Sequence, residues 1–219
     1  MAVRRIGVMG GMFDPVHRGH LAAAELAIAS LDLDELRMIP CAQPRHRQAA
    51  LVSGEERLEM LRLATATQRK IIVDDREIRR EGVSYTVDTL LSLAEEFPGA
   101  ILVLVLGIDA FATLPHWHRW QALFALAHVL VLGRPGPQLV FDEDLALDLQ
   151  CREVLSAERL FALPQGRILR LQEPQVAVSS TQVREALYQH GHAEEQLPPA
   201  VAEFIETRAL YRKPDLGLS

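Results

Sequence analysis

The chain has little lysine, little cysteine and no long apolar run. Its 219 residues include only two lysines, Lys70 and Lys213, and two cysteines, Cys41 and Cys151. A phosphate site built around lysine is therefore not expected, and two distant cysteines give neither a disulfide framework nor a metal-binding spacing. The longest strongly apolar run, residues 100–106, is far shorter than a membrane-spanning helix.

Positive charge is also in short supply. Lysine and arginine number 23 against 29 aspartates and glutamates, which gives a formal net charge of −6. Binding to nucleic acid or to an anionic membrane depends on extended positive surface, so neither partner is expected. Hydrophobic residues make up 49% of the chain, enough for the core of one domain spanning residues 1–219. The composition predicts a cytoplasmic protein with reduced thiols.

Short apolar runs typical of strands alternate with helical patterns. Strands are predicted at residues 5–9, 36–40, 71–74, 101–106, 128–132 and 168–171, and helices at 21–31, 55–66, 87–97, 120–127, 178–188 and 199–207. This alternation predicts an α/β fold with a Rossmann-like, doubly wound, mostly parallel sheet and helices on both faces. The pattern loosens over residues 135–174, which we interpret as an excursion within the domain. Residues 179–219 form a small C-terminal helical part.

A glycine-rich segment follows the first predicted strand. Residues 10–20 read Gly-Gly-Met-Phe-Asp-Pro-Val-His-Arg-Gly-His. Glycines at a strand end let backbone N–H groups approach an anion, and the following helix directs the positive end of its dipole to the same place. Asp14 suits the N-cap of that helix and Pro15 its first position. The segment predicts a phosphate site with His17 and His20 on one helical face.

The segment differs from other phosphate-binding and metal-binding motifs. It has neither the Gly-x-Gly-x-x-Gly of dinucleotide sites nor the Gly-x-x-x-x-Gly-Lys-Ser/Thr of P-loops. Zinc is an alternative ligand for the two imidazoles, but no His-Glu-x-x-His and no nearby cysteine pair supports it. We therefore expect no metal held by protein ligands.

A second group of candidates lies near the C terminus. Ser179, Ser180 and Thr181 form a predicted helix N-terminus, and Arg184 follows one turn later. Such hydroxyl groups either cap the helix or bind a phosphate. Arg184 adds a planar guanidinium that a cap does not need, which favours an anion.

Residues near other strand ends are further candidates. Trp117 lies between two histidines and is either a platform for a flat ring or a core residue. Asp109 follows a strand and Gly107, where its carboxylate can accept ribose hydroxyls or cap a helix. Arg134 follows the strand at residues 128–132 and either contacts a base or merely ends the strand.

Both motifs resemble the two signatures of the His-x-x-His nucleotidyltransferase superfamily. Further stretches are similar to bacterial nicotinate-nucleotide adenylyltransferases: Pro-Arg-His-Arg at 44–47, Ser-Tyr-Thr-Val-Asp-Thr-Leu at 84–90, Leu-Gly-Ile-Asp at 106–109, Pro-His-Trp at 115–117, and the tail from 197 to 211. The resemblance thus covers nearly the whole chain. The family often has Pro-Pro-His-Arg or Pro-Pro-His-Lys where this chain has Arg45 in place of the second proline.

The resemblance implies adenylyl transfer from ATP to nicotinate mononucleotide, which gives deamido-NAD and pyrophosphate in NAD biosynthesis. The phosphate of the mononucleotide is mostly ionised at neutral pH, so it would attack the α-phosphorus in line without a general base or a covalent enzyme intermediate. Mg²⁺ would be held mainly by ATP phosphates and water. The sequence does not determine the oligomeric state, and a homo-oligomer is one of the open alternatives.

The resemblance also assigns residues to each substrate. The implied catalytic residues are His17, His20 and Arg184. The implied ATP-binding residues are Gly10, Gly11, Met12, Phe13, His17, His20, His46, Arg47, Gly107, Asp109, Arg134, Ser179, Ser180, Thr181 and Arg184. Nicotinate mononucleotide would contact Gly11, Tyr85, Thr86, Asp109, Trp117 and His118. His46 and Arg47 either close over ATP or belong to an ordinary solvated loop.

Two other functions remain open on the sequence. The chain could be another adenylyl- or cytidylyltransferase of the superfamily, such as pantetheine-phosphate adenylyltransferase, which would bind phosphates in the same way. Those enzymes, however, lack the Ser-Tyr-Thr and Pro-x-Trp stretches that this chain has. A non-catalytic sensor would bind ATP without transferring its adenylyl group.

Overall fold

Parallel strands form the centre of the protein, whose computed structural model describes residues 3–42, 50–80, 82–133, 141–172 and 178–212. The strands in these ranges are β1 (Arg5–Gly11), β2 (Glu35–Pro40), β3 (Ile71–Val73), β4 (Ile101–Gly107), β5 (His128–Gly133), β6 (Glu153–Val154) and β7 (Ile168–Gln172). They pair in the order β3-β2-β1-β4-β5-β7-β6, and each of these pairs is parallel. The predicted α/β fold is confirmed.

Helices connect the strands and cover both faces of the sheet. They are α1 (Arg18–Leu31), α2 (Gly54–Thr65), α3 (Arg76–Arg79), α4 (Thr86–Glu96), α5 (Ile108–Ala112), α6 (Glu143–Arg152), α7 (Ala157–Leu160), α8 (Ser180–His190) and α9 (Pro199–Thr207). Two 3₁₀ helices cover Leu114–His116 and Trp120–Ala125. No helix within the described ranges is long and apolar enough to cross a membrane.

Each face of the sheet has its own hydrophobic core. In β4, Val103 and Val105 pack on the side of α1, while Leu102 and Leu104 pack on the side of α4. Successive residues of a strand point to opposite faces, so a continuous apolar run such as β4 supplies both cores. Burying one such side chain stabilises the fold by roughly 1.5–3 kcal/mol.

Helix α1 begins three residues after the predicted Asp14 cap allows, although before residue 21, where its apolar pattern starts. Its N-cap is His17 and its first residue is Arg18, whereas Asp14 and Pro15 lie in the preceding loop. The prediction that Asp14 caps this helix is wrong, because its carboxylate accepts hydrogen bonds from other segments: Leu51 N at 2.9 Å and the Tyr211 hydroxyl at 2.6 Å.

The segment read as an excursion contributes strands to the same sheet. Within residues 141–172, β7 pairs with β5 and the two-residue β6 lies at the sheet edge. The sequence pattern predicts β7 but not the ten-residue α6, while β6 and α7 are too short to leave a periodic pattern. The helix predicted at residues 120–127 is instead the 3₁₀ helix Trp120–Ala125.

The sheet order determines where a ligand can bind. Chain connections leave β1 toward β2 on one side, and β4 lies on its other side. In open α/β sheets a crevice forms at such a reversal, beyond the carboxyl ends of the strands. Here that position lies between the ends of β1 and β4.

Candidate active site

Two cavities lie beyond the carboxyl ends of β1 and β4. The larger, which we call the α1–α8 cavity, has a volume of about 980 Å³, and the smaller, the α4 cavity, about 570 Å³. Both are lined by the same residues at their junction: Gly10, Gly11, Met12, Leu106, Asp109, Ala110 and Trp117. Two ligands placed in the two cavities would therefore meet at the first glycine motif.

Glycines keep the α1–α8 cavity open at both strand ends. A Cβ atom built on Gly10 or on Gly107 would have no heavy atom within 4 Å. The missing side chains leave room for a ligand to approach the backbone, as the sequence predicts for a phosphate site.

Gly19 is needed for a different reason. A Cβ atom there would lie 3.1 Å from the ring of His17 and 3.4 Å from the carbonyl oxygen of Val178. Val178 immediately precedes the capping residue of α8, so the absence of a side chain in α1 lets the two helix N-termini come close together.

The two predicted histidines stack on each other at the start of α1. Their ring centroids are 3.7 Å apart with an interplanar angle of 27°. The backbone N–H of His17 donates to Nδ1 of His20 at 3.3 Å. An Nδ1 that accepts carries no proton, so Nε2 of a neutral His20 carries it and is a potential phosphate donor. His17 is buried, whereas His20 is half-buried.

Phe13 packs its ring against that of His20. Its side chain is only 2% exposed, and its ring meets that of His20 edge-on with centroids 5.0 Å apart. A Cβ atom on Gly11 would come within 3.1 Å of the same ring. The phenyl ring therefore packs under the loop, and a ligand could reach Phe13 mainly through its backbone.

The second motif faces the first across the α1–α8 cavity. Ser179 is the N-cap of α8 and accepts from Gln182 N at 3.2 Å. Ser180 Oγ instead donates to the carbonyl oxygen of Pro15 at 3.0 Å. Thr181 and Arg184 line the cavity together with His17 and His20. Two stretches far apart in sequence are thus brought to a single cavity.

Arg184 links the two motifs directly. Its Nη1 donates to the carbonyl oxygen of Asp14 at 2.7 Å, and its Nη2 to Thr181 Oγ1 at 3.3 Å. The guanidinium is half-buried at the cavity wall. It therefore brings a positive charge to the wall of the cavity that the glycine strand ends also line.

Three residues that contact the first motif were not predicted as site residues: Arg57, Tyr211 and Leu51. Arg57 of α2 is 1% exposed and donates through Nη1 to the carbonyl oxygen of Met12 at 2.8 Å. Tyr211 donates to the buried Asp14 carboxylate, which also accepts from the backbone of Leu51. No periodic signal in the sequence reveals the burial of Arg57 or the contacts of Tyr211 and Leu51 with Asp14.

The α4 cavity contains the residues predicted to bind a pyridine nucleotide. Tyr85 and Thr86 stand at the N-terminus of α4, and the rings of Tyr85 and His118 lie 4.3 Å apart. Trp117 is half-buried, and its indole N–H donates to Thr113 Oγ1 at 3.2 Å. These side chains form one wall of the α4 cavity.

A buried carboxyl group that sequence reasoning missed also lines the α4 cavity. Glu77 is 6% exposed and accepts from the Thr89 hydroxyl at 2.6 Å. Burial raises the pKa of Glu77, and hydrogen bonds from Thr89 and Ser84 partly oppose this effect. Cys41 lines the cavity as well, and its Sγ lies 3.1 Å from Met12 Sδ.

Asp109 lies where the two cavities meet. It is exposed and is the second residue of α5, whose N-cap is Gly107. The alternative that Asp109 caps this helix is therefore wrong, and its carboxylate lines both cavities.

The remaining predicted contacts lie outside the described residues. They are His46, Arg47 and Arg134. Among residues 3–42, 50–80, 82–133, 141–172 and 178–212, no group of three or more His, Cys, Asp or Glu side chains is placed to hold a metal ion.

The chain is similar to a family model and to curated proteins that agree with one another in function. A family model described as cytidylyltransferase-like matches residues 8–186. A probable nicotinate-nucleotide adenylyltransferase of Methylococcus capsulatus is 44% identical over 209 residues, 95% of this chain and 100% of that protein. The protein of the same name in Dechloromonas aromatica is 44% identical over 211 residues, 94% of this chain and 97% of the relative.

Solved structures share the fold at lower identity. Plasmodium falciparum nicotinic acid mononucleotide adenylyltransferase complexed with APC has a TM-score of 0.72 and 17% identity, covering 95% of this chain and 97% of that one. The same enzyme complexed with NaAD gives the same values. This likeness concerns the fold.

Proposed function

Because this chain belongs to the cytidylyltransferase-like family, and within it to the nicotinate-nucleotide adenylyltransferases, we propose that its two cavities bind ATP and nicotinate mononucleotide. The enzyme transfers the adenylyl group of ATP to the mononucleotide and releases deamido-NAD and pyrophosphate. The reaction is a step of NAD biosynthesis. Cys41 and Cys151 are not joined in a disulfide, which favours the cytoplasm as its compartment.

The junction of the two cavities is the observation that carries this proposal. Adenylyl transfer requires the phosphate of the acceptor to reach the α-phosphorus of ATP, and the cavities meet at Gly10, Gly11 and Met12. Placing ATP in the α1–α8 cavity and the mononucleotide in the α4 cavity brings the reacting phosphates to the backbone of this motif. Holding two reactants in this way supplies much of the rate enhancement of a transfer enzyme.

The reaction needs little acid–base chemistry from the protein. A phosphate oxygen of the mononucleotide forms a bond to the α-phosphorus while the bond to the β-phosphate oxygen breaks, and pyrophosphate leaves with the bonding electrons. The attacking oxygen is already ionised at neutral pH, since the second pKa of a phosphate monoester is about 6. No covalent enzyme intermediate forms.

The side chains of the α1–α8 cavity oppose the charge of the triphosphate. His20 and His17 donate at the α-phosphate and to the developing charge of the transition state. Ser180, Thr181 and Arg184 bind the β- and γ-phosphates from the N-terminus of α8. Positioned donors and helix dipoles of this kind stabilise a developing negative charge without reorganisation.

A divalent cation, with Mg²⁺ the expected ion, enters as part of the ATP complex. The carboxylates lining the α1–α8 cavity are Asp14, Asp109 and Glu185. Both oxygens of Asp14 already accept hydrogen bonds, which suits a cation held mainly by phosphates and water. When bound, the cation neutralises phosphate charge and orients the leaving group.

The α4 cavity suits a flat ring with a carboxylate. Trp117 offers an aromatic face, while Thr86 and the backbone near Tyr85 and His118 offer hydrogen-bond donors to the nicotinate carboxylate. Asp109, at the junction, accepts from ribose hydroxyls. We expect the acid mononucleotide to be preferred over the amide because an anionic carboxylate is the better acceptor.

Pyrophosphate release tests the proposal. The protein is mixed with ATP and Mg²⁺, and pyrophosphate is measured with nicotinate mononucleotide, nicotinamide mononucleotide, 4′-phosphopantetheine or no acceptor. We expect the fastest release with nicotinate mononucleotide. Faster release with another acceptor would identify a different transferase, and ATP binding without release under any condition would identify a sensor.

A further inference from the structure

The end of the described chain contacts the loop between β1 and α1. The hydroxyl group of Tyr211 donates to Asp14 Oδ1 at 2.6 Å, across 197 positions in sequence. We call this hydrogen bond the tail contact. Asp14 is 4% exposed, and its Oδ2 accepts from Leu51 N at 2.9 Å. Two segments outside both signature motifs therefore hold one buried carboxylate of the first motif.

The carbonyl groups of the same loop are held from outside as well. Met12 O accepts from Arg57 at 2.8 Å, Asp14 O from Arg184 at 2.7 Å, and Pro15 O from Ser180 at 3.0 Å. Because the peptide group is planar, fixing the carbonyls of Met12 and Pro15 also fixes the N–H groups of Phe13 and Val16, whereas Pro15, which follows Asp14, has no N–H. These contacts therefore determine how the loop presents its backbone donors.

Electrostatics favours a neutral, donating Tyr211. Burial raises the pKa of its hydroxyl group, and the Asp14 carboxylate raises it further, while Arg184 and Arg57 act in the opposite direction. The hydroxyl keeps its proton at any physiological pH, so the tail contact persists. Arg57, at 1% exposure, and Asp14 both act electrostatically on the Tyr211 hydroxyl, so the two opposite charges belong to one buried cluster.

The backbone of the tail supports a specific role for Tyr211. Ala209 and Tyr211 have φ angles of +53° and +58°, in the left-handed region that non-glycine residues seldom adopt. Such angles persist where surrounding contacts determine the conformation. The tail follows α9, which packs against α2, the helix that carries Arg57. Helix α2 thus carries one group that holds the loop, Arg57, and the tail after its partner α9 carries another, Tyr211.

We propose that Tyr211 is a positioning residue for ATP binding, acting through Asp14 on the loop that precedes His17 and His20. The tail contact holds the loop backbone in the orientation that receives the triphosphate. This role rests on the proposed function, because it takes ATP as the ligand of the α1–α8 cavity. The acceptor substrate, bound in the α4 cavity, is not affected directly.

Tyr211→Phe is the informative variant, since it removes only the hydroxyl group. We expect the Kd for Mg·ATP, measured by calorimetry without acceptor, to rise about tenfold, as for loss of a hydrogen bond to a charged group. The KM for nicotinate mononucleotide should stay within about twofold, a change too small to indicate a lost contact. Hydrogen exchange of the amides at residues 10–17 should become faster even without ligand.

Two further variants separate positioning from general stability. Ile205→Val trims a buried side chain of α9 that lies in the core below the tail. It should lower the melting temperature without changing ATP affinity or exchange in the loop. Asp14→Asn, alone and combined with Tyr211→Phe, completes a double-mutant cycle. We expect the combined effect on ATP affinity to be clearly smaller than the sum of the single effects.

Each outcome of these measurements supports or overturns the positioning role of Tyr211. Unchanged loop exchange and ATP affinity in a folded Tyr211→Phe protein, or effects matched by Ile205→Val, would overturn the positioning role. If the wild-type protein binds ATP but releases no pyrophosphate, the proposed function fails, while the affinity and exchange data still judge the tail contact. If it binds no ATP, both claims about ATP fail, even if exchange shows that the contact orders the loop.

Discussion

His17 and His20 are neighbours with different environments. His17 is buried at the N-cap of α1, while His20 is half-buried one turn later and stacks on it. The hydrogen bond from His17 N to His20 Nδ1 sets the tautomer of His20, so its Nε2 bears the proton. Both residues line the cavity, and the backbone of His17 orients the ring of His20 as a donor.

His20→Ala should lower kcat by about 10²-fold or more, as for loss of an oriented electrostatic donor. The fold should survive, because His20 is not part of either hydrophobic core. Steady-state kinetics and circular dichroism check both points, with His190→Ala, at the exposed end of α8, as the control. A folded variant with near-normal turnover would contradict the assignment.

Trp117→Ala should raise the KM for nicotinate mononucleotide, by about tenfold for loss of an aromatic platform, with a much smaller effect on ATP. Initial rates with each substrate varied in turn measure the two constants. Trp120→Phe is the control, because Trp120 packs edge-on against Phe124 and lines neither cavity. A selective loss of ATP affinity would place the ring platform elsewhere.

At the scale of elements, two helix N-termini converge on one cavity. Helices α1 and α8 both begin at the α1–α8 cavity, and Gly19 lets them approach closely. Each helix directs the positive end of its dipole to this cavity. A chain with a net charge of −6 can therefore bind a polyanion by concentrating positive potential locally rather than over its surface.

Arg184 is the residue that joins these two elements. Arg184→Lys keeps the charge but loses the planar pair of donors, so we expect kcat/KM for ATP to fall about tenfold. Arg184→Ala should lower it further, by about 10²-fold, because the charge is lost as well. Kinetics with Arg62→Lys, an exposed position on α2, supplies the matched control. Equal activity of the lysine variant would mean that charge alone suffices.

At the scale of the whole molecule, the parallel sheet places the site and holds buried polar groups. His128 begins β5 with no exposed surface. Its Nδ1 accepts from Arg167 N at 3.1 Å, and its Nε2 lies 3.0 Å from the carbonyl oxygen of Leu163. This arrangement requires a neutral ring, because a protonated Nδ1 could not accept.

Folding stability should consequently fall in mild acid. Burial lowers the pKa of His128 below its usual 6.5, so between that lowered value and 6.5 the unfolded chain binds more protons than the folded one. Stability therefore rises with pH across this window and is lost as pH falls below 6.5. Melting temperatures between about pH 7.5 and about pH 5 should show a shallower slope for His128→Asn than for His190→Asn. Equal slopes would exclude His128 as the cause.

The amino-acid sequence by itself determined the parallel α/β framework and the two signature motifs, because strand and helix periodicity and glycine-rich turns are local properties. It did not determine the N-cap of α1, since Asp14 forms its hydrogen bonds with residues far along the chain. The burial of Glu77 and Arg57, and the contact of Tyr211 with Asp14, likewise depend on distant segments meeting. Only tertiary packing decided these features, because a buried polar group is stable only where its partners from other segments have already been brought to it.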